Sequence, residues 1–298
     1  MALHHAKRMS RPIWLIAAPV VFLVLWSAGF AVAKLGLQHA PPLTLLALRY
    51  CLVLAVLLPI AVLLSPPMPK TAREWLDVAV VGFLIQVVYF GLCYVAFKSG
   101  VSAGAVAIIV CLQPILVALI APRFVSEVIS VRGWAGLALG LSGAALVILS
   151  RQGVSAENGF GVGCAFLALL GITGGTLWEK RYGISHHPVI SNLIQYAVGA
   201  AFTLPLAWTT ETLQISWDWE FGVVLFYLVV GNSLLAMSLL LAMIRLGAVS
   251  RVSALFYLVP PLTALCAWPL LGEVMPVLGW AGMALAAVGV ALVSRKPG

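Results

Sequence analysis

The third long apolar stretch of the chain carries aromatic and amide side chains at the spacing of one helix face. Phe83, Gln86, Phe90 and Tyr94 follow one another at three- and four-residue intervals, with Tyr89 beside them. A glutamine at the centre of an apolar stretch is costly against lipid and therefore favours an interior position. Rings and amides of this kind can stack on a ligand and hydrogen-bond its polar groups, which is binding chemistry rather than catalysis.

Residues in other stretches would complete such a site. A zwitterionic aromatic amino acid needs a stacking surface, donors for its carboxylate and acceptors for its ammonium group. The predicted substrate-binding residues are Trp26, Phe30, Gln86, Tyr89, Phe90, Tyr94, Gln113, Trp178, Asn232 and Tyr257. Any single aromatic residue among them has an alternative role in packing or in anchoring a helix at the membrane surface.

Prolines interrupt two stretches at corresponding places in the two halves of the chain. Pro114 lies near the middle of one stretch, and Pro260 and Pro261 lie near the middle of the other. A proline within a helix removes a hydrogen bond and frees the carbonyl four residues earlier. The freed carbonyls would be those of Val110, Phe256 and Tyr257. Paired interrupted helices indicate a transporter's binding site, so the three prolines are predicted hinges; the alternative is that they kink the helices only for packing.

Catalytic and metal-binding groups are scarce in the apolar stretches. No Asp or Glu lies deep within one, since Asp77 and Glu179 are near the ends. The five cysteines show no CxxC spacing and are interpreted as apolar packing residues. We therefore predict no enzyme, no cofactor and no metal site. Arg49 is the one formal charge deep in a stretch; it could hold a substrate carboxylate, pair with backbone groups or fix a helix near the membrane surface.

Membrane-spanning helices must position these residues. The 298-residue chain is 63% hydrophobic and 9% charged, whereas a soluble domain carries about 25% charged residues. A soluble protein is therefore excluded, and lipid requires that backbone groups be satisfied within helices or a closed barrel. Continuous rather than alternating apolar runs predict an all-α integral membrane protein with ten transmembrane helices. The runs are Ile13–Ala33, Leu43–Leu64, Trp75–Phe97, Ala103–Ala121, Val131–Leu149, Gly159–Leu177, Val189–Trp208, Phe221–Met243, Val252–Leu271 and Val277–Val293.

An internal repeat divides the chain. Residues 127–136 match residues 273–282 at seven of ten positions, and the same offset of 146 aligns Arg49–Tyr50 with Gln195–Tyr196. The predicted domains are the repeats 1–152 and 153–298. Because each contains five runs, an odd number, the second repeat would be inverted in the membrane. Inverted repeats around a central cavity are the architecture of many secondary transporters, which bind substrate near the midplane between the halves.

Basic residues predict the orientation. Placing both termini in the cytoplasm puts 13 of the 17 Lys and Arg residues on the cytoplasmic side, as the positive-inside rule requires. The predicted location is the bacterial inner membrane. Nucleic-acid binding is not expected, because the basic residues are spread over six segments rather than gathered in one patch. Glycine stripes in the fifth and tenth runs allow close packing, either of these helices against each other or in a homodimer, so monomer and homodimer both stay open.

The chain resembles the drug/metabolite transporter superfamily, of the EamA type, in having two five-span units. Each unit ends in a Glu that is followed, about six residues later, by Gly-Trp-Ala-Gly and a helix rich in small residues. The overall pattern, together with the first-span segment Trp26-Ser-Ala-Gly-Phe30, is similar to bacterial aromatic amino-acid exporters within that superfamily. The resemblance implies a basket of ten helices. Spans 1, 3, 4, 6, 8 and 9 would line the central cavity, with spans 5 and 10 at the periphery.

The sequence thus predicts an inner-membrane exporter of aromatic and other apolar amino acids that works by alternating access of its two halves. Because no acid lies deep in a span, facilitated diffusion is the predicted mechanism, with other coupling left open. The alternatives are an exporter of another small neutral metabolite, such as another amino acid or a purine-like compound, a drug efflux protein, and a membrane receptor or scaffold.

Overall fold

All the regular secondary structure in the described part of the chain is helical. The computed structural model describes residues 13–101, 103–126, 129–149, 159–183, 186–247, 249–271 and 276–294. The helices are α1 (Ile13–Gly36), α2 (Pro42–Leu64), α3 (Ala72–Lys98), α4a (Ala103–Val110), α4b (Gln113–Phe124), α5 (Val131–Leu149), α6 (Gly159–Tyr182), α7 (Pro188–Thr210), α8 (Trp219–Leu246), α9a (Val249–Ala254), α9b (Val259–Leu271) and α10 (Val277–Ser294). These ranges contain no strand, so the all-α fold class is confirmed.

Six of the described helices are long and apolar enough to cross a membrane, namely α1, α2, α3, α6, α7 and α8. Helices α4b and α10 are shorter and also apolar. Large apolar side chains point outward; Val62 and Leu63 on α2 are 74% and 83% exposed. A continuous exposed apolar surface of this kind requires lipid around it. The full set of ten crossings and the inversion of the second half stay predictions.

Polar contacts mark two opposite ends of the helix assembly. At one end, the Glu211 carboxylate accepts hydrogen bonds from the backbone N–H groups of Leu43 (2.9 Å) and Thr44 (2.7 Å) and so satisfies the first turn of α2. At the other end, Arg245 donates to the Glu179 carboxylate at 2.5 Å. Helix α8 begins shortly after Glu211 and ends just beyond Arg245, which places the two contacts at opposite ends. They are called the Glu211 end and the Arg245 end below.

Two pairs of segments in the described helices depart from regular α geometry. Helix α3 contains a π-helical segment, Phe83–Gly91, and α8 contains another, Tyr227–Ala236. Helix α4 is broken between α4a and α4b, and a 3-10 turn, Leu255–Leu258, joins α9a to α9b. Each pair of irregular segments lies at corresponding places in the two sequence halves. Because π segments occur frequently at functional sites, these segments direct attention to the middle of α3 and α8.

The glycine stripes of α5 and α10 face each other within the chain. A Cβ atom added to Gly289 would lie 2.4 Å from the backbone nitrogen of Gly140, and one added to Gly143 would lie 2.4 Å from that of Ala286. The two helices therefore touch backbone to backbone, as small-residue stripes permit. The sequence allowed these stripes to pack either on each other or in a homodimer. In the structure they pack on each other within one chain.

Candidate functional site

A cavity of about 300 Å³, counting its open mouth, lies between α1, α2, α3 and α8. Along α1 and α3 the lining begins near the middle of each helix and continues toward the Glu211 end. The lining residues are Trp26, Gly29, Phe30, Ala33, Arg49, Tyr89, Phe90, Cys93, Tyr94, Phe97 and Asn232.

Aromatic rings form one wall of the cavity. Trp26 of α1 stacks on Tyr89 of α3, with ring centroids 6.1 Å apart and an interplanar angle of 9°. The Phe90 ring packs 5.7 Å from Trp26 and 4.8 Å from Tyr89. Phe22 and Phe256 pack against Trp26 at 5.2 Å and 5.7 Å. The result is a continuous aromatic surface on which an aromatic or aliphatic group can pack.

Arg49 of α2 is the one formal charge among the lining residues. Its Nε donates to the Ser233 hydroxyl at 2.6 Å, and its Nη2 donates to Asn232 Oδ1 at 2.7 Å. Its Nη1 donates to the Tyr94 hydroxyl at 3.3 Å, and the guanidinium lies over the Phe90 ring, 4.6 Å from the centroid. Of the three roles open to Arg49, pairing with backbone groups does not account for these contacts, because side chains of α3 and α8 hold its guanidinium.

The π segments carry the polar groups of the site. Tyr50 donates a hydrogen bond to the carbonyl of Gln86 in α3 at 2.7 Å, and Tyr196 donates one to the carbonyl of Ser233 in α8 at 2.9 Å. A π segment has i→i−5 hydrogen bonds in place of the i→i−4 bonds of a regular helix, and a carbonyl oxygen, with two lone pairs, can accept from a side-chain donor as well. The two tyrosine rings, which occupy corresponding positions in the sequence halves, meet with centroids 5.5 Å apart.

Two buried amides adjoin this cluster. Gln86 of α3 and Gln195 of α7 are both 0% exposed. Neither amide makes a hydrogen bond of normal geometry within the described residues, although that of Gln86 lies close to the Tyr196 hydroxyl. A buried polar group left unpaired costs about 1–3 kcal/mol. A water molecule beside these amides would satisfy them.

The structure brings most, but not all, of the predicted site residues together. The predicted residues that line the cavity are Trp26, Phe30, Tyr89, Phe90, Tyr94 and Asn232. Gln86 lies behind the lining, beside Gly199 of α7. Gln113 donates to the Thr176 hydroxyl at 3.3 Å, and Tyr257 packs against Gly140 of α5. Gln113 and Tyr257 are therefore buried near the centre of the fold without lining this cavity.

Trp178 lies at the Arg245 end. Its ring packs 4.9 Å from Tyr182 and 6.1 Å from Phe124, and its Nε1 donates to Asp77 at 3.1 Å. This side chain belongs to the contacts that hold α3, α4b and α6 together at one end of the fold. The structure does not bring it to the cavity.

Further polar contacts close the Arg245 end. The Arg245 guanidinium donates to Glu179, to the Ser191 hydroxyl at 2.7 Å and to a backbone carbonyl of the α6–α7 connection. Lys180 donates to the carbonyl of Gly247 at 2.6 Å. Helices α6, α7 and α8 are thus joined at the end opposite to the one that the cavity approaches.

The predicted hinge prolines follow the breaks in α4 and α9. Pro114 lies in the first turn of α4b, and Pro260 and Pro261 lie in the first turn of α9b. The freed carbonyl of Phe256 accepts a hydrogen bond from Cys111 Sγ at 3.1 Å. One break therefore contacts the other directly, and the carbonyl predicted to accept from a substrate accepts from a thiol instead.

Helix α2 contributes Arg49 to the cavity. The resemblance placed spans 1, 3, 4, 6, 8 and 9 around it, whereas the residues lining this cavity come from α1, α2, α3 and α8. A charge in the middle of an apolar run is costly and for that reason marks a functional position. That signal singles out Arg49 in the sequence, although Arg49 is not among the predicted substrate-binding residues.

Comparisons with known proteins agree with this architecture. The model of the EamA-like transporter family matches the chain twice, over residues 12–149 and 159–295. A solved crystal structure of a protein with 18% identity covers 96% of this chain and 98% of that one with a TM-score of 0.79, which shows a shared fold.

Curated relatives resemble the chain over nearly its whole length. The uncharacterized inner membrane transporter YedA of Escherichia coli K12 is 21% identical over 94% of this chain and 90% of its own. The uncharacterized transporter YvbV of Bacillus subtilis 168 is 24% identical over 92% and 89%. A probable amino-acid metabolite efflux pump of Salmonella typhimurium LT2 is 27% identical over 95% and 94%. With the family matched over both halves, the chain belongs to the EamA-like transporter family and is an integral membrane transporter.

Proposed function

We propose that the chain exports aromatic and other apolar amino acids through the cavity between α1, α2, α3 and α8. The observation that carries this proposal is the stacked wall of Trp26, Tyr89 and Phe90 at mid-height, which suits an apolar side chain. The Asn232 amide, on the facing helix α8, offers a polar contact for the amino-acid backbone. The Salmonella relative, named as a probable amino-acid metabolite efflux pump, supports the same substrate class.

Alternating access of two inverted repeats is the proposed mechanism. It is supported by the paired irregularities of the two halves: the π segments of α3 and α8, and the breaks in α4 and α9. Two equivalent packings of one sequence pattern, each open to one side, are what such a mechanism requires. Pro114, Pro260 and Pro261 would permit the bends that exchange the two packings.

Orientation and coupling complete the proposal. With the termini in the cytoplasm, the Arg245 end faces the cytoplasm and the cavity extends toward the outer side. No carboxylate is present among the residues that line the cavity, so the site offers no acid to exchange a proton for the substrate. Facilitated diffusion follows as the proposed mode of transport.

A counterflow screen tests the proposal. Purified protein is reconstituted into liposomes loaded with unlabelled phenylalanine, and uptake of labelled phenylalanine is measured against external competitors. Apolar and aromatic amino acids should compete, whereas aspartate, lysine and adenine should not. Competition by adenine but by no amino acid would favour the purine-like alternative and contradict the proposal.

Two further arms sharpen this screen. Dissipating the pH gradient with an ionophore should leave the counterflow intact, and its loss would contradict facilitated diffusion. Tyr89→Ala and Gln86→Ala should reduce uptake while the protein still reaches the membrane. Unchanged uptake by both variants would show that the substrate does not use this site.

A further inference from the structure

The cavity contains a buried positive charge without a negative partner. The Arg49 side chain is 1% exposed, and no carboxylate lies within 4 Å of its guanidinium in the described part of the chain. Its three hydrogen-bond partners, Ser233, Asn232 and Tyr94, are all neutral. A buried charge is costly unless it is both hydrogen-bonded and paired, so this guanidinium favours a ligand that carries a negative charge.

The guanidinium also retains donor capacity. Arginine has five N–H donors in a fixed planar fork, and Arg49 directs three hydrogen bonds to protein side chains. The Tyr196 hydroxyl also lies close to the guanidinium, which leaves at least one N–H group of a terminal nitrogen unused. A fork of this geometry matches the two oxygens of a carboxylate.

The aromatic wall lies directly beside this fork. The Phe90 ring centroid lies 4.6 Å from the guanidinium carbon of Arg49 and 5.7 Å from the ring centroid of Trp26. The Phe90 ring therefore contacts both the charged and the aromatic parts of the cavity. A ligand with a flat ring a short distance from a carboxylate would contact both parts at once. An amine in the same position would meet the guanidinium with no lining acid to offset the repulsion.

We propose that Arg49 is the residue that selects substrates by their carboxylate, and that the site accepts aromatic carboxylates whether or not they carry an α-amino group. This inference rests on the proposed function only in taking the cavity as the transport site. It extends the substrate class from amino acids to deaminated aryl acids. It also excludes the corresponding amides and amines.

The hydrogen bonds of Arg49 also join α2 to α8, so the test must separate ligand selection from structural support. The repeat counterpart of Arg49 is Gln195, which makes glutamine a suitable replacement in shape and helix context. Arg49→Gln removes the charge, and Arg49→Lys keeps the charge but removes the fork. Arg132→Gln, on the exposed surface of α5, is the matched control for loss of one arginine outside the cavity.

The experiment compares two ligands of nearly equal shape, 3-phenylpropionate and 3-phenylpropionamide, with phenethylamine as the cationic member. Each is titrated against the purified full-length protein, and apparent Kd values are taken from the shift in thermal unfolding. Wild type and Arg132→Gln should bind the acid about tenfold or more tightly than the amide, the range of one charge-assisted hydrogen bond. Arg49→Gln should lose this preference, and Arg49→Lys should retain part of it.

Three results would overturn the inference: equal binding of acid and amide by the wild type, no binding of the acid, or an undiminished preference in Arg49→Gln. If Arg49→Gln does not fold, the wild-type ratio and the partial loss in Arg49→Lys decide the matter. These results are distinguishable from a failure of the proposed function. Absent phenylalanine counterflow alongside an Arg49-dependent acid preference would refute amino-acid export but not the carboxylate site, whereas robust counterflow without that preference would refute only the site.

Discussion

Substitution of Gly29 by alanine is expected to disable the cavity by displacing Asn232. A Cβ atom at Gly29 of α1 would lie 2.3 Å from Nδ2 and 3.1 Å from Cγ of Asn232. Ordinary contact begins near 3.4 Å, so the amide must move by about 1 Å. The Arg49 Nη2 to Asn232 Oδ1 distance is 2.7 Å, and such a movement takes it beyond the range of a good hydrogen bond.

The magnitude follows from the bond that is lost. A hydrogen bond to a charged group is worth about 1.5–3 kcal/mol, and the gain in helix propensity from glycine to alanine offsets about 0.5–1 kcal/mol of that. The free energy of unfolding should therefore fall by about 1–2 kcal/mol. Uptake should fall further, because the displaced amide occupies space in the cavity.

The assay is a double-mutant cycle read by thermal unfolding and by phenylalanine counterflow in proteoliposomes. Gly222→Ala, on α8, is the matched control, since a Cβ atom there meets nothing within 4 Å. In an Asn232→Ala background the Gly29→Ala change should have no further cost, because the clashing amide is gone. Additive effects of the two substitutions, or a Gly29→Ala variant that behaves like Gly222→Ala, would refute the reasoning.

Three other predictions concern the fold around the site. Arg245→Met should lower the unfolding free energy by about 3–5 kcal/mol, because it leaves the buried Glu179 unpaired. The double variant Arg245→Met, Glu179→Met should recover most of this loss in a thermal unfolding measurement. If it recovers none, the ion pair does not stabilise the fold. Gly289→Ala should lower the unfolding temperature, because its Cβ atom would lie 2.4 Å from the backbone of Gly140. Gly163→Ala is the control, since a Cβ atom there meets nothing within 4 Å. Equal unfolding temperatures of the two variants would contradict the α5–α10 packing. Trp178→Phe should leave the KM for phenylalanine unchanged, since Trp178 lies at the Arg245 end. A raised KM would indicate that Trp178 contacts the substrate.

The order of the helices and much of the aromatic wall followed from sequence patterns. Apolar runs separated by polar connections show where helices begin and end, and the glycine stripes of the fifth and tenth runs indicated close packing. Helical spacing also brought Tyr89, Phe90 and Tyr94 to the cavity. The same spacing put Phe83 on that face, but Phe83 is 38% exposed and packs on Phe202 at 5.1 Å. The π segment beginning at Phe83 accounts for this, since its wider turns alter the register that a regular helix would keep.

Contacts between distant parts of the chain were beyond sequence reasoning. The partners of Arg49 on α8 lie more than 180 residues away in sequence, and no local pattern encodes that meeting. Trp178 had the residue type expected of a binding aromatic, but its neighbour Asp77 on α3 fixes it elsewhere. In both cases the tertiary packing of helices decides the role of the side chain.

The central claim is that the chain transports phenylalanine through this cavity. The most direct test is counterflow of labelled phenylalanine in the absence of an ion gradient, measured for the wild type, Tyr89→Ala and Gly222→Ala. We predict a transient accumulation of label above equilibrium for the wild type and Gly222→Ala, and a strongly reduced one for Tyr89→Ala, whose ring stacks 6.1 Å from Trp26 in the cavity wall. No accumulation by folded wild-type protein, or equal accumulation by Tyr89→Ala, would contradict the account.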